Sequence, residues 1–296
     1  MNIAWEDIPL FLAVAETHSM SAAARQLRLG QPTISRRLAS LEVALGYPLF
    51  RRSANGASLT AAGERLVESA RKMAEWAGEL NRAATTHEKR PRGVVRLTAP
   101  PGVAFSFCAP FAAWLKQKQP GLQLELLSSH QFLDLARGEA DLALRIRPSA
   151  QNDLKTIATL PSRAVAMATK DYIRRLPRRY GLGDVGWICW APPYDRLAPN
   201  PQLEQAIPDF APVFTSDSLL IQWRAAEAGV GALILDGVRH RFSGPTKLVP
   251  LKLDLGPEAV GAIHLVCAKS ALDIPRVRVV AELLAEELRR AGAVVF

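Results

Sequence analysis

Between Met20 and Leu45 the chain spells two short helices meeting at a tight turn, and this pattern constrains the N-terminal architecture more than any other stretch. Ser21, Ala22, Ala23, Ala24, Arg25, Gln26 and Leu27 read as a helix with small residues on one face, capped by Ser19 or Ser21. Leu29, Gly30, Gln31 and Pro32 form the turn. Ile34, Leu38, Leu41 and Leu45 then recur at helical spacing and predict the buried stripe of a second helix. Small inner residues let two helices cross closely, so the expected unit is a helix-turn-helix.

The residues left outside that stripe carry the chemistry. Gln31, Pro32, Thr33, Ser35, Arg36 and Arg37 open the second helix, with Ser21 and Arg25 beside them on the first. Hydrogen-bonding and cationic side chains at a helix start suit base edges and phosphates. From His18 to Thr60 there are six arginines, Arg25, Arg28, Arg36, Arg37, Arg51 and Arg52, against Glu42 alone. Leu49 to Arg52 and Leu59-Thr60 flank Asn55-Gly56, a hairpin signal, which predicts a two-stranded wing carrying Arg51 and Arg52 toward a phosphate backbone. Across 296 residues the chain carries 37 Lys and Arg against 28 Asp and Glu, a formal +9, and that excess is densest in this region. Hydrophobic residues at 49 % and charged residues at 22 % exclude a disordered or fibrous chain.

Residues 61–88 contain no proline and read as one long helix. Leu66, Ala70, Met73, Ala77, Leu80 and Ala84 follow at alternating steps of four and three, the spacing of a helix that pairs with its own copy; an amphipathic helix lying on its own domain has the same stripe. Lys89 to Gly93 reads as a linker. Beyond it, strands are expected at Val94–Leu97, Leu122–Leu127, Asp141–Arg145, Ala164–Ala168, Trp187–Trp190, Gly231–Leu235 and Ala262–Cys267. Helices are expected at Pro110–Lys118, Phe132–Arg137, Ser218–Ala228 and Arg276–Arg290. The alternation implies an α/β domain with a mainly parallel sheet, whose ligands sit beyond the carboxyl ends of its strands.

Other signals point away from catalysis and metal. The histidines at 18, 87, 130, 240 and 264 have no metal-ligand spacing, so no metal and no cofactor is expected. Cys108, Cys189 and Cys267 are far apart and imply neither a zinc site nor a disulfide framework; a reducing cytoplasm is the expected location. Gly181, Gly183 and Gly186 spell GxGxxG without a preceding apolar strand and read as a loop. Arg174, Arg175, Arg178 and Arg179 read as a solvated basic face. Leu97–Leu115 is uncharged but is interrupted by Pro100, Pro101 and Pro110, so no membrane span is expected. Glu6 and Asp7 stand where an export signal would be basic.

The N-terminal pattern resembles the LysR-type transcriptional regulators. The resemblance rests on Phe11–Val14, Ser19-Met20-Ser21, Ala23-Ala24, Leu27, Gln31 to Arg36, Leu41-Glu42, Leu45-Gly46, Leu49-Phe50, Arg52, Leu59-Thr60 and Ala62-Gly63. Gly30 departs from it, since the family usually places Ser or Thr there as a cap. Looser likeness continues through Pro110-Phe111, Glu139 to Asp141, Thr215 to Asp217, Ala228 to Gly231 and Pro275 to Val277. The resemblance implies a winged helix-turn-helix over 1–60, a dimerisation helix and hinge over 61–92, and a two-lobed periplasmic-binding-protein-like effector domain over 93–296. Lobe one would comprise about 93–162 and 268–296, and lobe two about 163–267. By position, an effector would lie between the lobes among Pro100, Pro101, Ser128, Ser129, His130, Arg145, Thr215, Ser216 and Asp217. Hydroxyls and helix-start amides can receive an anion and Arg145 can pair with a carboxylate, although Ser, Thr and Asp in such places also cap their own helices. The implied function is a homodimeric or homotetrameric regulator, and not an enzyme. It would bind double-stranded promoter DNA, answer a small carboxylate-bearing effector, and contact RNA polymerase if it activates.

Overall fold

In a computed structural model of the chain, residues 3–53, 56–84, 91–148 and 153–293 are described. They fall into two units, Met1–Thr85 with Ala136–Gly138 and Thr86–Leu135 with Glu139–Phe296.

The first unit begins with a single 3-10 turn at Trp5–Asp7 and α1, Ile8–Thr17, whose residues Phe11, Leu12 and Val14 are almost wholly buried. Next come α2, Met20–Gln26, and α3, Gln31–Leu45, as the sequence predicts. Ala23 and Ala24 of α2 pack in one core with Ile34, Leu38, Leu41 and Leu45 of α3, because only small side chains allow that crossing. Strands β1, Phe50–Ser53, and β2, Gly56–Leu59, pair antiparallel with Arg51 opposite Ser58 and Arg52 opposite Ala57, which makes the wing. Asn55 of the expected hairpin signal lies outside the described residues, as do Lys89 and Arg90 of the expected linker. Thr60 then caps α4, Ala61–Ala84: its Oγ1 accepts from the Gly63 N–H at 3.1 Å. Gly63 is required there, since a Cβ would stand 2.4 Å from the Leu49 carbonyl oxygen.

The second unit starts with β3, Gly93–Ala99, followed by α5, Pro101–Val103, a π-helical turn at Ala104–Cys108, and α6, Ala109–Lys118. The sequence places the helix start at Pro110, but the helical run begins at Pro101. A proline inside a helix clashes with the carbonyl four residues back, and the widened π turn immediately before Pro110 accommodates it. Then come β4, Leu122–Ser128, and β5, Leu142–Arg145. Between them, Phe132–Arg137 is an irregular segment that leads into a turn at 135–138 rather than the expected helix. The stretch is short, and Glu139 closes it as a loop by accepting from the Asp134 N–H at 2.7 Å.

The chain continues through β6, Leu154–Thr169; α7, Lys170–Arg174; β7, Ile188–Trp190; α8, Asn200–Ala206; β8, Phe214–Ser216; and α9, Leu219–Glu227. It closes with β9, Leu233–Asp236; β10, Val238–Arg239; β11, Leu248–Pro250; β12, Val260–Ala268; α10, Pro275–Arg290; and β13, Gly292–Ala293. The main sheet has the order β11-β6-β12-β5-β3-β4, with β9 also paired to β6. It is mixed, which corrects the mainly parallel expectation: β3 is parallel to β4 and β5, whereas β6 and β12 run antiparallel to each other. Strand β12 returns the chain along β6, and a return path along its own outgoing strand is necessarily antiparallel. Two cores flank it. One gathers Leu97, Phe111, Leu144, Leu265 and Leu284 around α6 and α10, and the other gathers Ala168, Trp187, Cys189 and Leu203.

Candidate functional site

In the first unit the candidate surface is the start of α3 with its surroundings. Gly30 is the N-cap of α3, with an extended backbone and no side-chain cap, and its carbonyl accepts from Thr33 and Ile34 at 3.0 and 3.2 Å. Ser19, not Ser21, caps α2, accepting from Ala22 at 3.3 Å. Ser21 instead donates to Gln31 Oε1 at 3.1 Å. Ser21, Arg25, Gln31, Pro32, Arg36 and Arg51 are exposed, with Thr33 and Ser35 half-buried: Gln31 to Arg36 lie in the first turns of α3, Ser21 and Arg25 on α2, and Arg51 on the wing. The Arg52 side chain lies outside the described residues.

Arg37 does something else. Its Nε donates to Asp7 Oδ1 at 2.7 Å, and Asp7 is buried, so this arginine ties α3 to the turn before α1. Sequence spacing could not separate it from Arg36, because the partner lies 30 positions away. Glu42, the single acidic residue of the region, accepts from the Leu49 and Phe50 N–H groups at 2.7 and 3.0 Å and anchors the wing to α3.

The expected pairing stripe on α4 divides in two. Ala70 is buried in the core of its own unit, and Leu66 and Met73 are half-buried against that core. A heptad stripe and an amphipathic stripe coincide over two turns, so only packing distinguishes them. Further along, Ala77 is half-buried, while Leu80 and Trp76 are 72 % and 66 % exposed. The Ala84 side chain lies outside the described residues.

In the second unit, the strand ends carry the predicted effector residues. Pro100 and Pro101 follow β3, Ser128 ends β4 exposed, and Ser129 donates its N–H to the Ala99 carbonyl at 3.1 Å while its Oγ accepts from Gln131 at 2.9 Å. Ser216 is buried and accepts from Ser218 at 3.1 Å, while Thr215 and Asp217 on either side are exposed. Ser129 and Ser216 thus order their own turns. Arg145 is 5 % exposed, donates to the Leu133 carbonyl at 2.9 Å and lies under the Phe132 ring at 4.9 Å. Burial lowers its guanidinium pKa, a tendency that nearby Asp134 opposes. It supports the loop over β5, while its buried Nε has no hydrogen-bond partner among the described residues.

His130 meets aromatic residues that the effector set expected from the sequence does not include. Its ring centroid stands 4.4 Å from Tyr194 and 4.9 Å from Trp190, and burial lowers its pKa. Phe105 on the π turn stands 5.5 Å from Trp223 of α9, edge to face. The signal available was the aromatic density of Trp190 and Tyr194, but nothing local pairs them with His130, which is 60 positions and more away. Burial pushes the thiols of Cys189 and Cys267 up to about 11 and that of Cys108 higher still. None has the depressed pKa of a reactive cysteine. Among the described residues no group of three or more His, Cys, Asp or Glu could hold a metal, and no helix is long and apolar enough to cross a membrane.

Comparison with known proteins covers both units. Residues 5–64 match the model described as bacterial regulatory helix-turn-helix protein, lysR family, and residues 88–289 match the LysR substrate binding domain. An HTH-type transcriptional regulator of Xanthomonas campestris pv. campestris is 32 % identical over 169 residues, which is 57 % of this chain and 49 % of that protein. The HTH-type transcriptional regulator PtxR of Pseudomonas aeruginosa is 35 % identical over 185 residues, 60 % of this chain and 58 % of the relative. The chain therefore spans about half to three fifths of the length of these relatives. A full-length OxyR variant from Pseudomonas aeruginosa shares the fold with a TM-score of 0.58 at 20 % identity, over 98 % of this chain and 95 % of that one.

Proposed function

The chain belongs to the LysR family of bacterial helix-turn-helix regulators, and from that premise we propose that it reads a specific promoter sequence through α3 and the wing. The observation that carries this reading is that Gln31 and Arg36 in the first turns of α3, Arg25 on α2 and Arg51 on the wing are all exposed. Guanidinium groups receive phosphates, and the first side chains of α3 reach base edges in the major groove. Two copies joined through the exposed Trp76 and Leu80 of α4 would address two half-sites about 34 Å apart or a multiple of that.

The effector is a small carboxylate-bearing molecule taken up between the lobes, beside Pro100, Ser128, His130, Thr215 and Asp217. Hydroxyls at Ser128 and Thr215 and the start of α9, where Ser218 provides no side-chain cap, support an anionic ligand. If the regulator activates, RNA polymerase is its further partner.

Fluorescence anisotropy on promoter and scrambled duplexes over a salt series tests the first part. Preference for the promoter is expected, with log K falling by about 0.9 per phosphate contact against log salt. Equal binding to both duplexes, or a flat salt response, refutes it. A thermal-shift panel of carboxylic acids against their amides tests the second part, and equal shifts by both would remove the carboxylate.

A further inference from the structure

Ser21 and Gln31 begin two different helices, yet they are tied to each other directly. Ser21 lies in the first turn of α2 and Gln31 is the first residue of α3, and the Ser21 hydroxyl donates to Gln31 Oε1 at 3.1 Å. Both side chains are exposed. Their separation is set by backbone that has little freedom, because Ala23 and Ala24 are packed in one core with Ile34 and Leu38. The local donors that could compete for Oε1 are already used or missing. Thr33 and Ile34 both donate to the Gly30 carbonyl, and Pro32 has no N–H. Among these, the Ser21 hydroxyl is the donor that meets this amide.

We infer that Ser21 is a positioning residue for sequence readout: it turns Gln31 Oε1 toward α2 and leaves the amide N–H groups of Gln31 to meet a base. The inference rests on the DNA-binding reading proposed above. A free glutamine suits adenine because it offers an acceptor and a donor together, matching adenine N6 and N7. With one lone pair of its oxygen engaged by Ser21 and that oxygen held toward α2, Gln31 presents chiefly its N–H groups, which fits guanine O6 and N7 or thymine O4 better than the mixed edge of adenine. Exclusion of water on docking strengthens the Ser21–Gln31 bond, since a hydrogen bond is electrostatically stronger where the dielectric is low. Neither residue is charged, so their contribution is to the choice of sequence and not to the salt-dependent attraction.

The experiment selects binding sequences from a randomised duplex pool with the full wild-type chain and with Ser21→Ala, Ser21→Thr, Gln31→Ala and the Ser21→Ala/Gln31→Ala pair. Melting curves matched to wild type verify that each variant is folded. Gln31→Ala is expected to erase the preference at one base pair of each half-site. Ser21→Ala is expected to reduce discrimination at that same base pair about tenfold, or turn it toward adenine. Ser21→Thr, which keeps the hydroxyl, restores it, and adding Ser21→Ala to Gln31→Ala changes nothing further. Unchanged discrimination in Ser21→Ala overturns the inference, as does an equal weakening on all sequences, which is the mark of a direct phosphate contact. If those two results are obtained while the wild-type chain still selects a promoter, the DNA-binding reading stands and the role of Ser21 alone falls; a wild-type chain that selects no sequence overturns both.

Discussion

Arg36 and Arg37 are neighbours in sequence and opposites in use. Arg36 is exposed, whereas Arg37 shares a 2.7 Å hydrogen bond with the buried carboxylate of Asp7. Arg36→Ala is therefore expected to lower affinity for promoter DNA about tenfold or more with an unchanged melting temperature. Arg37→Ala is expected to cost about 1–2 kcal/mol of stability, because it leaves Asp7 buried without that partner. Paired chemical denaturation and anisotropy measurements separate the two, and the reverse pattern would interchange their roles. Both arginines were legible as basic residues of a recognition helix. Which of them is free was not, since a hydrogen bond to a residue 30 positions upstream leaves no local trace. The same holds for Arg145, whose burial and whose bond to the Leu133 carbonyl leave no local trace.

At the scale of elements, the wing and α4 meet where no side chain fits. A Cβ on Gly63 would lie 2.4 Å from the Leu49 carbonyl oxygen and 2.9 Å from Leu59 Cδ2. Gly63→Ala is expected to destabilise the first unit by about 1–3 kcal/mol, read as a lowered urea midpoint. A midpoint equal to that of wild type would mean that the wing does not rest on α4. In the second unit, His240 packs edge-on against Phe107 at 5.1 Å, its Nδ1 is buried with no partner among the described residues, and adjacent Arg241 pairs with the buried Glu287 at 2.8 Å. Burial lowers the pKa of His240 from the ordinary 6.5, as it does for His130. The unfolded chain then binds protons more readily than the folded one, so stability is fully present above about 6.5 and declines as pH falls from there toward the folded pKa. A thermal-melting series from pH 8 to 5 should show this decline, with a shallower slope in His240→Gln. An identical slope would exclude His240 as a source.

The whole molecule depends on what covers α4. Leu66, Ala70 and Met73 are already used within their own unit, while Trp76 and Leu80 remain exposed. Large apolar side chains left open at the end of a long helix are the mark of an interface. Leu80→Asp should dissociate the assembly in sedimentation velocity, and an unaltered sedimentation coefficient would place the contact elsewhere. Amino-acid order alone determined the helix-turn-helix, the wing, the long helix and the α/β character of the rest, because hydrophobic period, turn residues and caps act over fewer than ten positions. Tertiary structure decided the remainder. Folding joined His130 to Trp190 and Tyr194, ran β6 and β12 antiparallel through the sheet, and divided one heptad stripe between a core and an open face. Each of these joins residues far apart in sequence, and such pairings are set by which surfaces can be buried together, a quantity that no local pattern contains.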